Sequence, residues 1–315
     1  MKIPSRLLVG LAAAALLTAT APAQINTVQK VAPDVYFHEG DPRRGHSNNG
    51  WVVLDDYVLV IDGNYPSGAT IVLPKVKETT DKPVRFTFDT HHHGDHAYGN
   101  KIWADAGATL VASTGMLEEM KKVETGAFGG PPGRWENSAK SRPDVAASKL
   151  KPPSVLFSKE LFFEDGGHRV ELRWFGIAHT RGDAMAWLPR EKILFTGDAC
   201  VNGPQNNVLD GNIAEWIKTL ELLKQLGAEK VCPGHGPMGG PEIIVDQQRY
   251  FIELQKAVKA LVEAKKTPAE VKAAVPEIAA QLKKIPSIAR YVPGSMLAPV
   301  QKVYLELGGE ILPTG

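Results

Sequence analysis

Val84-Arg85-Phe86-Thr87-Phe88 runs straight into Asp89-Thr90-His91-His92-His93-Gly94-Asp95-His96. The first five residues read as a buried strand, rich in Val and Phe and preceded by Pro83. The histidines and the aspartate then fall at the strand's end, where a rigid element can hold a loop of polar side chains in place. Alternation along Thr90 to His93 puts His91 and His93 on one side, able to grip a single ion together. Asp95 and His96 turn toward a neighbouring position. Working outward, three more strand ends carry the same kind of group. Ala178-His179-Thr180-Arg181-Gly182-Asp183 follows the strand Arg169 to Phe175. Phe195-Thr196-Gly197-Asp198 closes the strand Ile193 to Thr196. Lys230-Val231-Cys232 leads into Pro233-Gly234-His235-Gly236.

Each piece alone is ordinary, since a lone histidine after a strand is more often packed than ligating. Together they collect five of the nine histidines and two aspartates on what would be one edge of a sheet. Imidazole and carboxylate at fixed loop positions are what a divalent transition metal needs. His92 is expected to point away from the metal, toward solvent or an outer contact. His38, His46 and His168 read as surface or packing residues, with His46 a weak candidate for the cleft rim.

The rest of the chain frames that edge. Val35 to Phe37, Gly50 to Leu54 and Val58 to Ile61 are short strands, and Asp55-Asp56 forms the turn of a hairpin. Ala69 to Thr79 and Thr114 to Val123 are helices. Val155 to Phe157, Leu161 to Phe163 and Ala184 to Leu188 are further strands. From 126 to 153 the texture changes, with Gly129-Gly130-Pro131-Pro132-Gly133 and then Arg134-Trp135. That segment reads as a loosely ordered excursion, either a surface insertion or a lid carrying Trp135. Asn212 and Glu215 fit a capping box before Trp216, Leu220 and Leu223, with Gly227 as the stop. Beyond 240 the tail is helical: Pro241 to Lys265, a helix opened by the Thr267-Pro268-Ala269-Glu270 capping box, and Met296 to Leu307. Tyr250-Phe251 and Tyr291 fit helix core better than a pocket wall.

At the other end, Lys2 and Arg6 precede the apolar run Leu7 to Leu17 and then Ala21-Pro22-Ala23. This is a charged, apolar, small-x-small series, the pattern of a cleavable export signal over residues 1–23, too short in its apolar part to span a bilayer. The mature chain is expected to begin near Gln24, in a periplasm or outside the cell, with no membrane anchor. Of 315 residues, 36 are Lys or Arg and 35 Asp or Glu. Without the first 23 residues, 34 bases face 35 acids. A near-neutral chain has no field for gathering polyanions, so a small-molecule substrate is expected and a nucleic acid is not. Cys200 and Cys232 are too few for a disulfide scaffold; they form either one disulfide after export or two small buried thiols.

The order of these motifs from about Val35 to Gly236 closely resembles the metallo-β-lactamase superfamily. The resemblance implies a four-layer αββα sandwich over 24–240 with the metal site where the two sheets meet, followed by a helical C-terminal extension over 241–315. It implies that His91, His93 and His179 hold a first metal and that Asp95, His96 and His235 hold a second. Asp198 bridges them, as in the glyoxalase II-like branch, and Asp62 orients the histidines from behind. Two zinc ions per chain are implied, with Fe or Mn open at one site, roughly 3.5–4 Å apart, generating a bridging hydroxide at neutral pH. Asp95 would orient the attacking water and carry its proton. The activity implied is hydrolysis of an ester, thioester, lactone or β-lactam. A dedicated β-lactamase is argued against by Asp198, where those branches place Cys or Ser, and by the 80 residues beyond His235. A mononuclear-iron sulfur dioxygenase shares the motifs and is the alternative of a different class. A non-catalytic zinc module would not need seven ligands.

Overall fold

Strand after strand, the side chains divide cleanly between two apolar environments, and that alternation builds the molecule. In the computed structural model, which describes residues 25–165 and 167–313, the first half forms β1 (Val28–Ala32), β2 (Val35–His38), β3 (Asn49–Val53), β4 (Val58–Ile61), α1 (Pro66–Thr79) and β5 (Val84–Asp89). It continues through α2 (Gly94–Ala97), α3 (Asn100–Asp105), β6 (Thr109–Ser113), α4 (Thr114–Val123), α5 (Arg134–Ala139), α6 (Pro143–Ala146) and β7 (Val155–Phe157). These strands make one sheet in simple order from β1 to β7. β1 to β4 are an antiparallel meander, and β4 to β7 run parallel, with α1 returning the chain between β4 and β5. β1 is an edge strand that the sequence reading passed over, because Val28-Gln29-Lys30-Val31 mixes polar and apolar residues without a clean bound.

The second sheet has the order β12-β11-β10-β9-β8. Its strands are β8 (Glu160–Glu164), β9 (Arg169–Arg173), β10 (Met185–Leu188), β11 (Ile193–Gly197) and, after α7 (Ile213–Lys224), β12 (Lys230–Pro233). β8 to β11 are antiparallel, and β12 joins parallel to β11 after the α7 crossover. The tail adds α8 (Glu242–Glu263), α9 (Pro268–Lys283) and α10 (Leu297–Glu306).

Period-two alternation then sets the layers. Phe37, Val52, Leu59, Ile61 and Phe88 face inward to meet Val170, Leu172, Ala186, Ile193 and Phe195 of the other sheet. Their neighbours Tyr36, Trp51, Val58, Val60 and Val84 face outward, under Val72 and Val76 of α1 and Trp103 of α3. On the far side, Met185, Trp187, Leu194 and Val231 pack under Trp216, Leu220 and Leu223 of α7 and Tyr250 and Phe251 of α8. Helix, sheet, sheet, helix is the expected αββα sandwich, and the tail helices thicken its second outer layer. Tyr250, Phe251 and Tyr291 are fully buried there, as core.

The local start and stop signals are met. Asn212 accepts from the Glu215 N–H at 2.9 Å, and the Thr267–Glu270 capping box closes in both directions. Gly227 takes φ +68°, the left-handed turn that ends α7. The 126–153 segment differs from a loosely ordered excursion. It folds into α5 and α6, and Trp135 is buried against Tyr98, ring centroids 4.7 Å apart, and Val145. Glu124 ties the segment down by accepting from Tyr98 Oη and the Trp135 N–H. Cys200 and Cys232 are free, buried thiols. Cys200 packs in the sheet–helix core and Cys232 between the sheets, on opposite faces of β12's sheet, so no disulfide joins them. The proposed signal over 1–23 lies outside the described residues. Among the described residues no helix is long and apolar enough to cross a membrane.

Candidate metal centre

Four strand ends deliver the polar side chains to one rim of the sandwich. β5 ends at Asp89, two residues before His91, and α2 begins at Gly94, so Asp95 and His96 lie on its single turn. His179 stands in the connection from β9 to β10, Asp198 directly after β11, and His235 two residues after β12. The groups converge. One ring or carboxylate atom each from His91, His93 and His179 lie within 4.8 Å of one another, and so do those of Asp95, His96 and His235. Asp198 lies between the two sets. Its Oδ2 is 3.5 Å from His179 Nε2, while its Oδ1 is 3.2 Å from His96 Nε2 and 3.5 Å from His235 Nε2. One carboxylate thus offers an oxygen to each side.

The electrostatics show a site organised around charge. Burial opposes ionisation of Asp95, but His96 and His235 outweigh it and hold the carboxyl down at about 2. Burial likewise opposes charging His235, but Asp198 and Asp95 raise it to about 10. Burial and the neighbouring imidazoles push His179 down to about 4 and keep it a neutral donor. His91 is also held neutral by burial. Among the buried polar atoms of the described residues that have no hydrogen-bond partner, three, His91 Nε2, His96 Nε2 and Asp198 Oδ1, belong to one group of side chains at this rim. Orphaned buried polar atoms are rare and costly, and three converging on one point fit a divalent cation. The mixed nitrogen and oxygen donor set suits zinc and leaves iron and manganese open.

An outer ring of contacts aims these groups. Asp62 accepts from the Thr90 N–H at 2.9 Å and the Thr90 hydroxyl at 2.8 Å, and its other oxygen is 2.9 Å from His96 Nδ1. That leaves His96 Nε2 facing the cluster. His179 Nδ1 donates to the Asn207 carbonyl at 2.8 Å, which turns its Nε2 inward. His93 Nε2 is 2.8 Å from Asp210 Oδ2, which turns its Nδ1 inward, 2.8 Å from His179 Nε2. Asp210 in turn holds the Arg134 guanidinium through both oxygens, at 2.7 and 2.9 Å. The sequence reading missed Asp210, because Asp210-Gly211-Asn212 looks like an ordinary turn before a capped helix. It also missed the buried asparagines. Asn48 donates to the Pro233 and Gly236 carbonyls, bracing the His235 loop, and Asn49 donates to the Asp62 carbonyl. Asp62 and Asn64 both take positive φ, +67° and +60°, a conformation their short polar side chains tolerate. Gly234 is required by space: a Cβ there would overlap Asp198 Oδ1.

The remaining histidines take the outer-contact and packing roles among those expected of them, and none lies at the surface. His92 is buried, not solvated, and packs edge-on against His93 with centroids 4.7 Å apart. A ring nitrogen of His92 also lies within 4.8 Å of the His93–Asp210 pair. His38, His46 and His168 are all buried, and none is in the clusters; His46 Nε2 pairs with Ser67 Oγ at 2.9 Å, and His168 Nδ1 with Glu191. Trp135 does not line the cleft, but its neighbours Arg134, Asn137, Ser138 and Ser141 do.

A histidine–aspartate centre on the rim between the sheets of an αββα sandwich defines a class of metalloprotein. The family model for the metallo-β-lactamase superfamily matches residues 42–235. A metallo-β-lactamase type 2 of Pseudomonas aeruginosa is 32% identical over 254 residues, which cover 76% of this chain and 87% of that protein. One from Bacteroides fragilis is 33% identical over 107 residues, 32% of this chain and only 43% of that protein's length. In structure, a metallo-β-lactamase from Pontibacter korlensis aligns with a TM-score of 0.57 at 23% identity, over 71% of this chain and 98% of its own, a likeness of fold. The chain belongs to the metallo-β-lactamase superfamily.

Proposed function

We propose that the chain is an exported hydrolase holding two zinc ions, which cleaves an ester, thioester, lactone or β-lactam bond. The observation that carries this reading is Asp198, whose two oxygens face two separate donor sets. His91, His93 and His179 would hold one ion, Asp95, His96 and His235 the other, with Asp198 between them. A zinc pair, when bound, polarises a carbonyl and lowers the pKa of water toward neutrality.

The protein's own groups supply the rest. Asp62, Asp210 and the Asn207 carbonyl fix which nitrogen each of His96, His93 and His179 presents, so little reorganisation is needed on loading. Asp95 lines the cleft and stays ionised beside His96 and His235, so it can orient an attacking water and accept its proton. That proton can then pass to the leaving group. Nothing in this scheme requires a serine or cysteine nucleophile. The near-neutral chain favours a small molecule over a nucleic acid, and the pattern over residues 1–23 supports export.

Metal analysis of protein purified without added metal is expected to find two equivalents of zinc, together with turnover on at least one of nitrocefin, an aryl ester, a thioester and a homoserine lactone. Full activity with under one equivalent of metal in total would overturn the two-metal reading. Iron in place of zinc, with oxygen consumed on a persulfide, would move the protein to the sulfur dioxygenases.

A further inference from the structure

The cleft above the histidines opens in two directions with different walls. One cavity, of 440 Å3, is floored by His93, Asp95, His179, Asp198 and His235. Its sides come from segment 204–209 and from the C-terminal tail, through Val208, Leu209, Pro293, Ala298 and Pro299. Leu209 is 60% exposed at this rim and lines the cavity. Segment 204–209 is fixed to the centre because the Asn207 carbonyl accepts from His179. Lys302 of α10 donates to the Leu209 carbonyl at 3.2 Å, tying the same segment to the tail. The second cavity, of 490 Å3, shares His93, Asp95 and Asn207 and is walled by Tyr65, Tyr98, Asn137, Ser138 and Ser141.

Charge is the second observation. Among the described residues lining the two cavities, the one Lys or Arg is Arg134, and Asp210 already holds it through two hydrogen bonds. A carboxylate at the far end of a substrate's arm, out of reach of the metal site, would find no Lys or Arg in the cavity wall to replace the water it gives up, and desolvating it unpaired is costly. An aliphatic arm would find the exposed Leu209 and Ala298 and the half-buried Pro293, and each methylene it buries is worth about 0.8 kcal/mol.

Resting on the hydrolase reading, we propose that the substrate is a carbonyl compound with an uncharged aliphatic arm. That arm lies in the cavity between segment 204–209 and the tail helix α10, and the other side of the scissile bond faces the neutral polar cavity. The C-terminal extension is then a specificity wall as well as a structural layer. The selection disfavours substrates whose arm ends in a carboxylate.

The test compares p-nitrophenyl acetate, p-nitrophenyl octanoate and the mono-p-nitrophenyl ester of suberic acid, which matches octanoate in length but ends in a carboxylate. On zinc-loaded protein, kcat/KM for octanoate should exceed that for acetate and that for the suberate ester by about tenfold or more, after correction for spontaneous hydrolysis. Ala298→Glu and Leu209→Ser should each lower the octanoate-to-acetate ratio. A parallel measurement does not depend on turnover: calorimetry of octanamide with metal-free protein should show binding that Ala298→Glu weakens, at an unchanged circular dichroism spectrum. Equal kcat/KM on all three esters, or octanamide binding untouched by Ala298→Glu, overturns the proposal. No turnover of any ester, with octanamide binding intact and sensitive to Ala298→Glu, sinks the hydrolase reading and leaves the aliphatic cavity standing.

Discussion

Asp62 directly follows β4 and reaches across to the next strand's terminus, where it binds Thr90 with one oxygen and His96 with the other. Buried imidazoles have two nitrogens and no intrinsic reason to present a particular one, so the carboxylate behind them makes the choice. Asp62→Asn keeps the size but puts an N–H where His96 needs an acceptor. Zinc affinity, read by competition with a chromophoric chelator, should fall about 10–100-fold. An unchanged affinity would mean that Asp62 serves only the Thr90 turn. Arg134 acts one contact further out, through Asp210 on His93. Arg134→Ala leaves Asp210 in place, so the loss should be smaller, within about tenfold. Arg134→Lys should recover part of it, since one ammonium cannot reproduce the two-point hold. The visible spectrum of the cobalt-substituted protein should shift in Arg134→Ala if His93 changes its tilt, and stay put if Arg134 is only a surface ion pair.

At the scale of elements, the 126–153 segment shows how a Gly- and Pro-rich stretch becomes ordered. Its composition denies it a long helix, but Trp135 and Val145 give it an apolar anchor, and Asp144 gives it a polar one. Asp144 accepts from both the N–H and the hydroxyl of Ser67 at the start of α1 and pairs with Arg142. Burial opposes its charge, but these contacts prevail and hold its carboxyl below the usual value. A carboxyl whose folded pKa is depressed adds stability that is complete above its unfolded pKa and is lost as pH falls through the folded one. The melting temperature of the native chain should therefore exceed that of Asp144→Asn at pH 6, and the gap should close toward pH 3. A gap constant over that range would assign the effect to the hydrogen bonds alone. Other elements follow from local rules. The caps at Asn212 and Thr267 and the strand from Val84 were legible because each depends on a few adjacent residues. β1 was not, since an edge strand has one face to bury and one line of partners to satisfy.

At the scale of the molecule, the tail from α8 to α10 completes the apolar layer over the second sheet. Trp216 of α7 packs on Phe251 of α8 with centroids 4.6 Å apart, and Glu306 of α10 accepts from the Ile213 and Ala214 N–H groups at the start of α7. Removing residues 241–315 would expose Trp216, Leu220 and Leu223 together. Such a chain should bind an apolar dye and lose its near-ultraviolet circular dichroism. A truncated chain with native-like spectra and no dye binding would show that the tail is an appendage.

How much was readable from the sequence depends on the distance over which each feature is specified. The sequence by itself determined most of the strands and the residues gathered at the rim, because short motifs at strand ends carry them and strand alternation points them. The two-sheet sandwich came through the family likeness those motifs carry. Only the tertiary structure decided which nitrogen each histidine presents. That depends on Asn207 and Asp210, distant in sequence and unremarkable where they stand, as well as on Asp62, which the family likeness had already pointed to. It also decided the cleft's walls, since segment 204–209 and Ala298 meet only when α10 is docked. And it separated Cys200 from Cys232, near strand ends that are neighbours but on opposite faces of one sheet. Local chemistry is written in adjacent residues, whereas orientation and shape come from contacts that exist only once the layers have packed.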